Sequence, residues 1–123
     1  MAFTTQLADD EMIEFVQIPK LSTAARFGYF KFCRKTGEFA DASAAALFDA
    51  ERSVARIFVG ALSKTPQPLN HLAETVARNG LDRTADPERL AEEVRNIDPH
   101  LDAIDLQLHV TALRRALHKA IDR

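Results

Sequence analysis

The stretch from residue 38 to residue 63 constrains the fold of this chain more than any other part of the sequence. Its apolar side chains recur at intervals of three and four residues, which places them on one face of an α-helix. Alanines dominate its first half and favour helix intrinsically, so a neighbouring helix could approach closely there. Larger apolar side chains follow at Val54, Ile57, Phe58 and Leu62. The pattern predicts a long central helix over 38–63.

A second long helix is predicted at the C-terminal end, over 99–121. Its first half is apolar on one side, and its second half carries a stripe on nearly the opposite side, formed by Leu106, Val110, Leu113 and Leu117. A surface helix needs only one apolar face. Either the helix lies between two layers of its own domain, or the stripe contacts another chain. Because the spacing resembles a coiled-coil seam, we predict a dimer interface at these four residues.

Shorter helices are predicted between and before the two long ones. Helices over 66–79 and 87–96 each begin at a proline that follows a capping side chain, and the long helix begins in the same way at Asp98-Pro99. Asn79-Gly80 is typical of a helix end. A further short helix is predicted after residue 11, and it ends at Pro19.

The aromatic segment around residues 23–35 is also predicted to be a helix. A strand is the alternative, but an isolated strand would have nothing to pair with. The sequence therefore predicts an all-α, single-domain bundle of five or six helices. We expect residues 1–10 to form a flexible N-terminal arm and residues 11–123 to form the helical bundle domain.

Length and composition narrow the class of protein. A chain of 123 residues with 46% hydrophobic content suits one domain with a real core. Its apolar runs are far shorter than the roughly 20 residues of a membrane span, so we predict no membrane contact and a cytoplasmic location. A single cysteine cannot form an internal disulfide, which agrees with a reducing compartment. Abundant arginine and alanine are typical of GC-rich bacteria, so a bacterial or phage origin is expected.

No strong catalytic, cofactor-binding or metal-binding motif is present, and we predict that the protein is not an enzyme and has no cofactor. The best constellation is Asp102, Asp105 and His109, which share one face of the last predicted helix and offer oxygen and nitrogen ligands. No motif on a second helix completes such a site. A solvated polar stripe is the preferred interpretation, and a helical metalloenzyme is a third hypothesis.

The segment 26–35 is the sharpest functional lead, because it interleaves basic and aromatic residues. Such residues contact phosphates and stack on bases, but they are also enriched at the centres of protein interfaces. We predict that Phe27, Tyr29, Phe30, Arg34 and Lys35 bind a partner.

The main hypothesis is a small, non-enzymatic protein that binds another protein of unknown identity and associates with itself, as a homodimer. A regulator, an adaptor, an inhibitor or a small subunit of a larger complex would each fit. The alternative hypothesis is a helical module that binds nucleic acid through the segment 26–35. A net charge of only −2 provides no global field that would steer the protein toward nucleic acid, which makes this the less favoured of the two.

Overall fold

A computed structural model of the chain describes residues 4–81 and 84–122. Four strands form one antiparallel sheet in the order β1-β2-β3-β4, and three helices follow them along the chain. The fold contains both helices and a sheet, so the prediction of an all-α bundle of five or six helices is wrong. The elements are β1 (Arg26–Phe32), β2 (Ala42–Asp49), β3 (Val54–Gly60), β4 (Gln67–Pro68), α1 (Asn70–Asn79), α2 (Pro87–Ile97) and α3 (Ala103–Ile121).

The stretch 38–63, predicted as the central helix, is instead built around a β-hairpin. β2 pairs antiparallel with β3, and Ala46 lies opposite Ile57. Every second residue of β2 is buried, at Ala42, Ala44 and Ala46, which is the period of a strand. Because the stretch is rich in alanine, its apolar positions satisfy the helical and the strand period at once. Intrinsic helix propensity then favoured the wrong alternative.

β1 was also predicted as a helix, over residues 23–35. Its seven residues pair antiparallel with β2, and Tyr29 lies opposite Ala45. The strand alternative was set aside because no partner strand was apparent. The partner is β2, which had been assigned to a helix, so one wrong assignment led to the other.

The three C-terminal helices lie close to their predicted positions. The predicted ranges 66–79, 87–96 and 99–121 correspond to Asn70–Asn79, Pro87–Ile97 and Ala103–Ile121. The first and the third begin four residues late. The cap of α3 is Asp102, whose carboxylate accepts a hydrogen bond from the Asp105 N–H at 2.8 Å, and not the predicted Asp98. Gly80 follows α1 with φ of 72°, as predicted for a glycine that ends a helix.

The hydrophobic core lies between the helices and one face of the sheet. α3 packs on β1 and β2, α1 on β3, and α2 on α3. The contact of α3 with β1 is very close at Gly28, where an added Cβ would overlap the carbonyl oxygen of Ala116 and lie 2.8 Å from the backbone nitrogen of Ala120. Only a residue without a side chain permits this approach.

Residues 4–25 contain no helix and no strand, so the short helix predicted after residue 11 is wrong. The segment is attached to the fold at Ser22, whose backbone N–H and hydroxyl donate hydrogen bonds of 2.7 and 2.6 Å to the Asp49 carboxylate. We name residues 4–21 the arm. Residues 1–3 of the predicted flexible region lie outside the described residues, and the predicted boundary between an arm and a domain at residue 10 stays a prediction.

Candidate protein-binding surfaces

The two faces of the sheet differ in what lies against them. Alternate residues of β1 point to opposite faces, so that Gly28 and Phe30 lie on the helix side while Phe27 and Tyr29 lie on the other side. The side chains on that other side are exposed or half-buried, and we name it the open face. It contains Phe27, Tyr29 and Lys31 of β1, Ser43, Ala45 and Leu47 of β2, and Arg56 and Phe58 of β3.

Large apolar side chains are neighbours on the open face. Ala45 pairs with Tyr29 on one side and with Phe58 on the other, so the two rings flank one small residue. Phe27 lies two residues from Tyr29 and opposite Leu47. Phe27, Tyr29 and Phe58 are 56%, 46% and 37% exposed. A contiguous apolar surface of this kind is typical of contact sites for other proteins.

The predicted partner-binding residues are divided among three places. Phe27 and Tyr29 lie together on the open face. Phe30 lies on the helix side, where the guanidinium carbon of Arg115 is 4.8 Å from its ring centroid. Arg34 and Lys35 follow β1 in an exposed turn. The structure therefore brings only the first two into one surface, and whether any of the five binds a partner stays a prediction.

The residues of the predicted dimer seam lie on the core side of α3. Leu113 and Leu117 are fully buried within the chain, and Leu106 and Val110 are half-buried against the same core. Contact with the sheet thus accounts for the second apolar stripe of this helix, which lies between two layers of its own domain. Self-association stays a prediction, but Leu113 and Leu117 are not accessible to a second chain.

The polar residues considered as metal ligands are used within the fold. Asp102 caps α3, and His109 is buried with its Nδ1 2.8 Å from the carbonyl oxygen of Asp105 and its Nε2 3.2 Å from that of Gly60. A neutral imidazole carries one N–H and donates to only one of these carbonyls. Across residues 4–81 and 84–122, no group of three or more His, Cys, Asp and Glu side chains is placed to hold a metal ion.

Two buried carboxylates fix the loops around the sheet. The hydroxyl and the backbone N–H of Ser22 lower the pKa of Asp49 by donating hydrogen bonds to it, although its burial acts in the opposite direction. The Ser63 hydroxyl similarly lowers the pKa of Asp98, to which it donates at 3.0 Å. Ionised Asp49 therefore holds the base of the arm to the end of β2.

Two contributors to these surfaces are not predicted from the sequence. Leu47 and Phe58 belong to the open face, and strand alternation within the stretch 38–63 was the signal that would have placed them there. The apolar side chains of the arm were assigned to a short helix. They are in fact between 65% and 82% exposed, at Met12, Ile13, Phe15, Val16 and Ile18.

The fold resembles part of the chains of a known enzyme. One solved structure, the Cu,Mo-CO dehydrogenase in its cyanide-inactivated form, matches with a TM-score of 0.67 and 24% identity over 85% of this chain and 40% of that chain. The reconstituted CO dehydrogenase from Oligotropha carboxidovorans matches with a TM-score of 0.60 and 22% identity over 86% and 40% of the two chains. No family model matches the sequence, and no curated protein is similar to it.

These similarities show the fold, which occupies less than half of the length of each CO dehydrogenase chain. Both similar chains belong to CO dehydrogenase and neither is a regulator or an inhibitor, so the comparisons do not support the predicted regulatory or inhibitory role. None of the helices in the described part of the chain is both long and apolar enough to cross a membrane. The cytoplasmic location stays a prediction.

Proposed function

We propose that this chain is a non-enzymatic component of a larger protein assembly, to which it binds through its open face. The observation that carries the proposal is the cluster formed by the exposed rings of Phe27, Tyr29 and Phe58 on the side of the sheet opposite the helices. The half-buried Leu47 lies beside them. Leaving such side chains in water is unfavourable by about 25 cal/mol for each Å² of apolar surface. A protein that covers them gains this free energy on binding.

The similar structures support an enzyme assembly as the setting. In CO dehydrogenase the same fold forms 40% of a longer chain, so in that enzyme it is joined to further protein. We propose by analogy that the partner of the open face is a protein component of an oxidoreductase related to CO dehydrogenase. The analogy concerns the fold and the setting, and no catalytic step is carried over.

The use of the buried polar side chains supports a structural role and not a catalytic one. Asp49 and Asp98 accept hydrogen bonds that fix loops, Thr84 donates to the carbonyl oxygen of Gly80 at 2.6 Å, and His109 joins α3 to the end of β3. Each of these groups is therefore already occupied by the backbone or by a serine. Catalytic groups in a cleft would instead be directed at a substrate.

The test is recovery of the tagged full chain from its own host, followed by native mass spectrometry. We expect a stoichiometric complex with a second polypeptide that belongs to a molybdenum or related redox enzyme. The double variant Phe27→Ser/Phe58→Ser should lose this partner. The control Phe39→Ser/Ile104→Ser removes two apolar side chains outside the open face that are even more exposed, and it should keep the partner.

A monomer in the extract would contradict the proposal. So would a partner that Phe27→Ser/Phe58→Ser still binds, or one that the control variant also fails to bind. Thermal unfolding of each variant verifies that the fold is intact. Recovery of nucleic acid in place of protein, in an amount that falls steeply with salt, would favour the alternative hypothesis of a nucleic-acid-binding segment at 26–35.

A further inference from the structure

A groove of about 680 Å³ runs along the exposed side of α3 and is separate from the open face. Its apolar surface comes from Phe30, Pro87 and Val110, and its cations are Arg114, Arg115 and Lys119. The only further side chains that line it are neutral or histidine. Among the described residues that line it, the groove therefore combines an apolar floor with three positive charges and no carboxylate.

Two of the three cations are held in place over aromatic rings. The guanidinium carbon of Arg115 lies 4.8 Å from the ring centroid of Phe30 and 5.4 Å from that of Phe32. The Lys119 ammonium lies 5.2 Å from the Phe30 centroid and donates to the carbonyl oxygen of Tyr29 at 3.2 Å. Within the described part of the chain, neither of these cations nor Arg114 forms an ion pair with a carboxylate. Their charge is available to an acidic ligand.

The arm has the complementary composition. Over residues 4–21 it carries four acids and one base, Lys20. Asp9, Asp10 and Glu11 are consecutive, and Glu14 lies among the apolar residues 12–18. The large apolar side chains from Met12 to Ile18 are 65% to 82% exposed, and no arm residue lines the groove, so the arm does not lie in the groove of its own chain. The ten residues from Asp9 to Ile18 extend over about 33 Å. This exceeds the roughly 18 Å between Gln107 and Lys119 along the helix.

We propose that the arm of one copy of this chain binds the α3 groove of a second copy. Its carboxylates lie against Arg114, Arg115 and Lys119, and its apolar side chains cover the floor formed by Phe30 and Val110. The contact gives a dimer held by exchanged arms. It uses no residue of the open face and, of the α3 stripe, only the half-buried Val110, so it leaves the open face accessible to the partner proposed above.

The test is sedimentation velocity of the full chain over a range of concentrations at low and at moderate salt. We expect a dimer that weakens with salt, because oppositely charged surfaces form the contact. The groove variant Arg114→Glu/Lys119→Glu and the arm variant Asp10→Lys/Glu14→Lys should each weaken the dimer at least about tenfold. The control Arg78→Glu/Arg95→Glu makes the same change of charge as the groove variant on α1 and α2 and should dimerise as the unmodified chain does.

Mixing the two weakened variants tests the specific pairing. The groove variant retains an acidic arm and the arm variant retains a basic groove, so the mixture should associate more strongly than either variant alone. The variant Phe27→Ser/Phe58→Ser should still dimerise, which separates this contact from the open face. A chain that stays monomeric, an arm that binds its own groove, a dimer unaffected by both charge reversals, or a mixture that does not associate would each overturn the proposal.

Discussion

Where α3 packs most closely on β1 and β2, the two faces of the sheet differ in side-chain size. On the helix side, β1 and β2 present Gly28, Ala44 and Ala46, and α3 meets them with alanines such as Ala116. On the open face the same strands present large apolar side chains, of which Phe27 is more than half exposed. The covered face gains stability from close approach and the open face offers contact area. Under the proposed function, the sheet is covered on both sides, once by its own helices and once by another protein.

Covered and uncovered positions also differ along α3, and the largest expected effect on stability tests that difference. Leu113 is fully buried, whereas Ile104 on the same helix is 71% exposed. We expect Leu113→Asp to cost more than about 4 kcal/mol, because it places an unpaired carboxylate in the core. Ile104→Asp should cost less than about 0.5 kcal/mol as a surface change. Urea unfolding followed by circular dichroism measures both.

The alternative outcome for Leu113→Asp is a folded chain of unchanged helicity that no longer dimerises. That result would move Leu113 from the core to a dimer seam and would contradict its burial. Equal losses of stability in the two variants would show that the contrast between the two ends of α3 is wrong.

The close contact between the helix and the sheet gives the next largest effect. We expect Gly28→Ala to lower the free energy of unfolding by about 3 kcal/mol, since the new Cβ meets the backbone of Ala116 and Ala120, which cannot rotate away. Gly37→Ala is the matched control. No atom lies within 4 Å of its added Cβ, and only its φ of 92° is unfavourable, at about 1 kcal/mol.

Chemical denaturation of the two glycine variants measures the difference. If Gly28→Ala were no more destabilising than Gly37→Ala, α3 would not approach β1 closely. The covered face would then not differ from the open face in the way described.

The same contrast explains which parts of the fold could be predicted from the sequence. The three helices carry local signals, such as Pro87 in the first turn of α2 and Gly80 after α1, and these signals do not depend on the rest of the chain. The strands carry no comparable signal. The small side chains that let α3 approach β2 are alanines, which are also the best helix formers. Residues that serve close packing in a strand therefore predict a helix when only the sequence is considered.

The candidate surfaces could be predicted only where the local composition of one segment indicates a binding role. Phe27 and Tyr29 belong to the basic aromatic segment and lie on the open face. Phe30 is predicted with them because it belongs to the same segment, but it lies on the helix side. Successive residues of a strand, such as Tyr29 and Phe30, point to opposite faces of the sheet. The proximity of Phe58 to Tyr29 could not be predicted, because it depends on the register of three strands. Tyr29 of β1 and Phe58 of β3 both pair with Ala45 of β2.

The smallest expected effect lies at the base of the arm, where Asp49 joins the sheet to Ser22. Hydrogen bonds from Ser22 lower the pKa of Asp49 below its ordinary value of 3.8. A carboxyl with a lowered pKa in the folded state stabilises the fold above the pKa of the unfolded chain, and this contribution is lost as the pH falls through the folded value. Asp49→Asn removes the ionisable group and retains its shape. The variant should therefore be less stable than the unmodified chain at pH 7, and the difference should shrink as the pH falls below about 3.8.

Urea unfolding from pH 7 to pH 2.5 measures this difference, with the exposed Asp41→Asn as a control that changes the net charge equally. The pKa of Asp98 is also lowered, but Asp98 is present in the variant and in the unmodified protein, so its contribution cancels from the difference. A difference that stays constant down to pH 2.5 would mean that Asp49 acts through its hydrogen-bond geometry and not through its charge. In that case the arm would remain attached in acid, and protonation of Asp49 would not release it from the sheet.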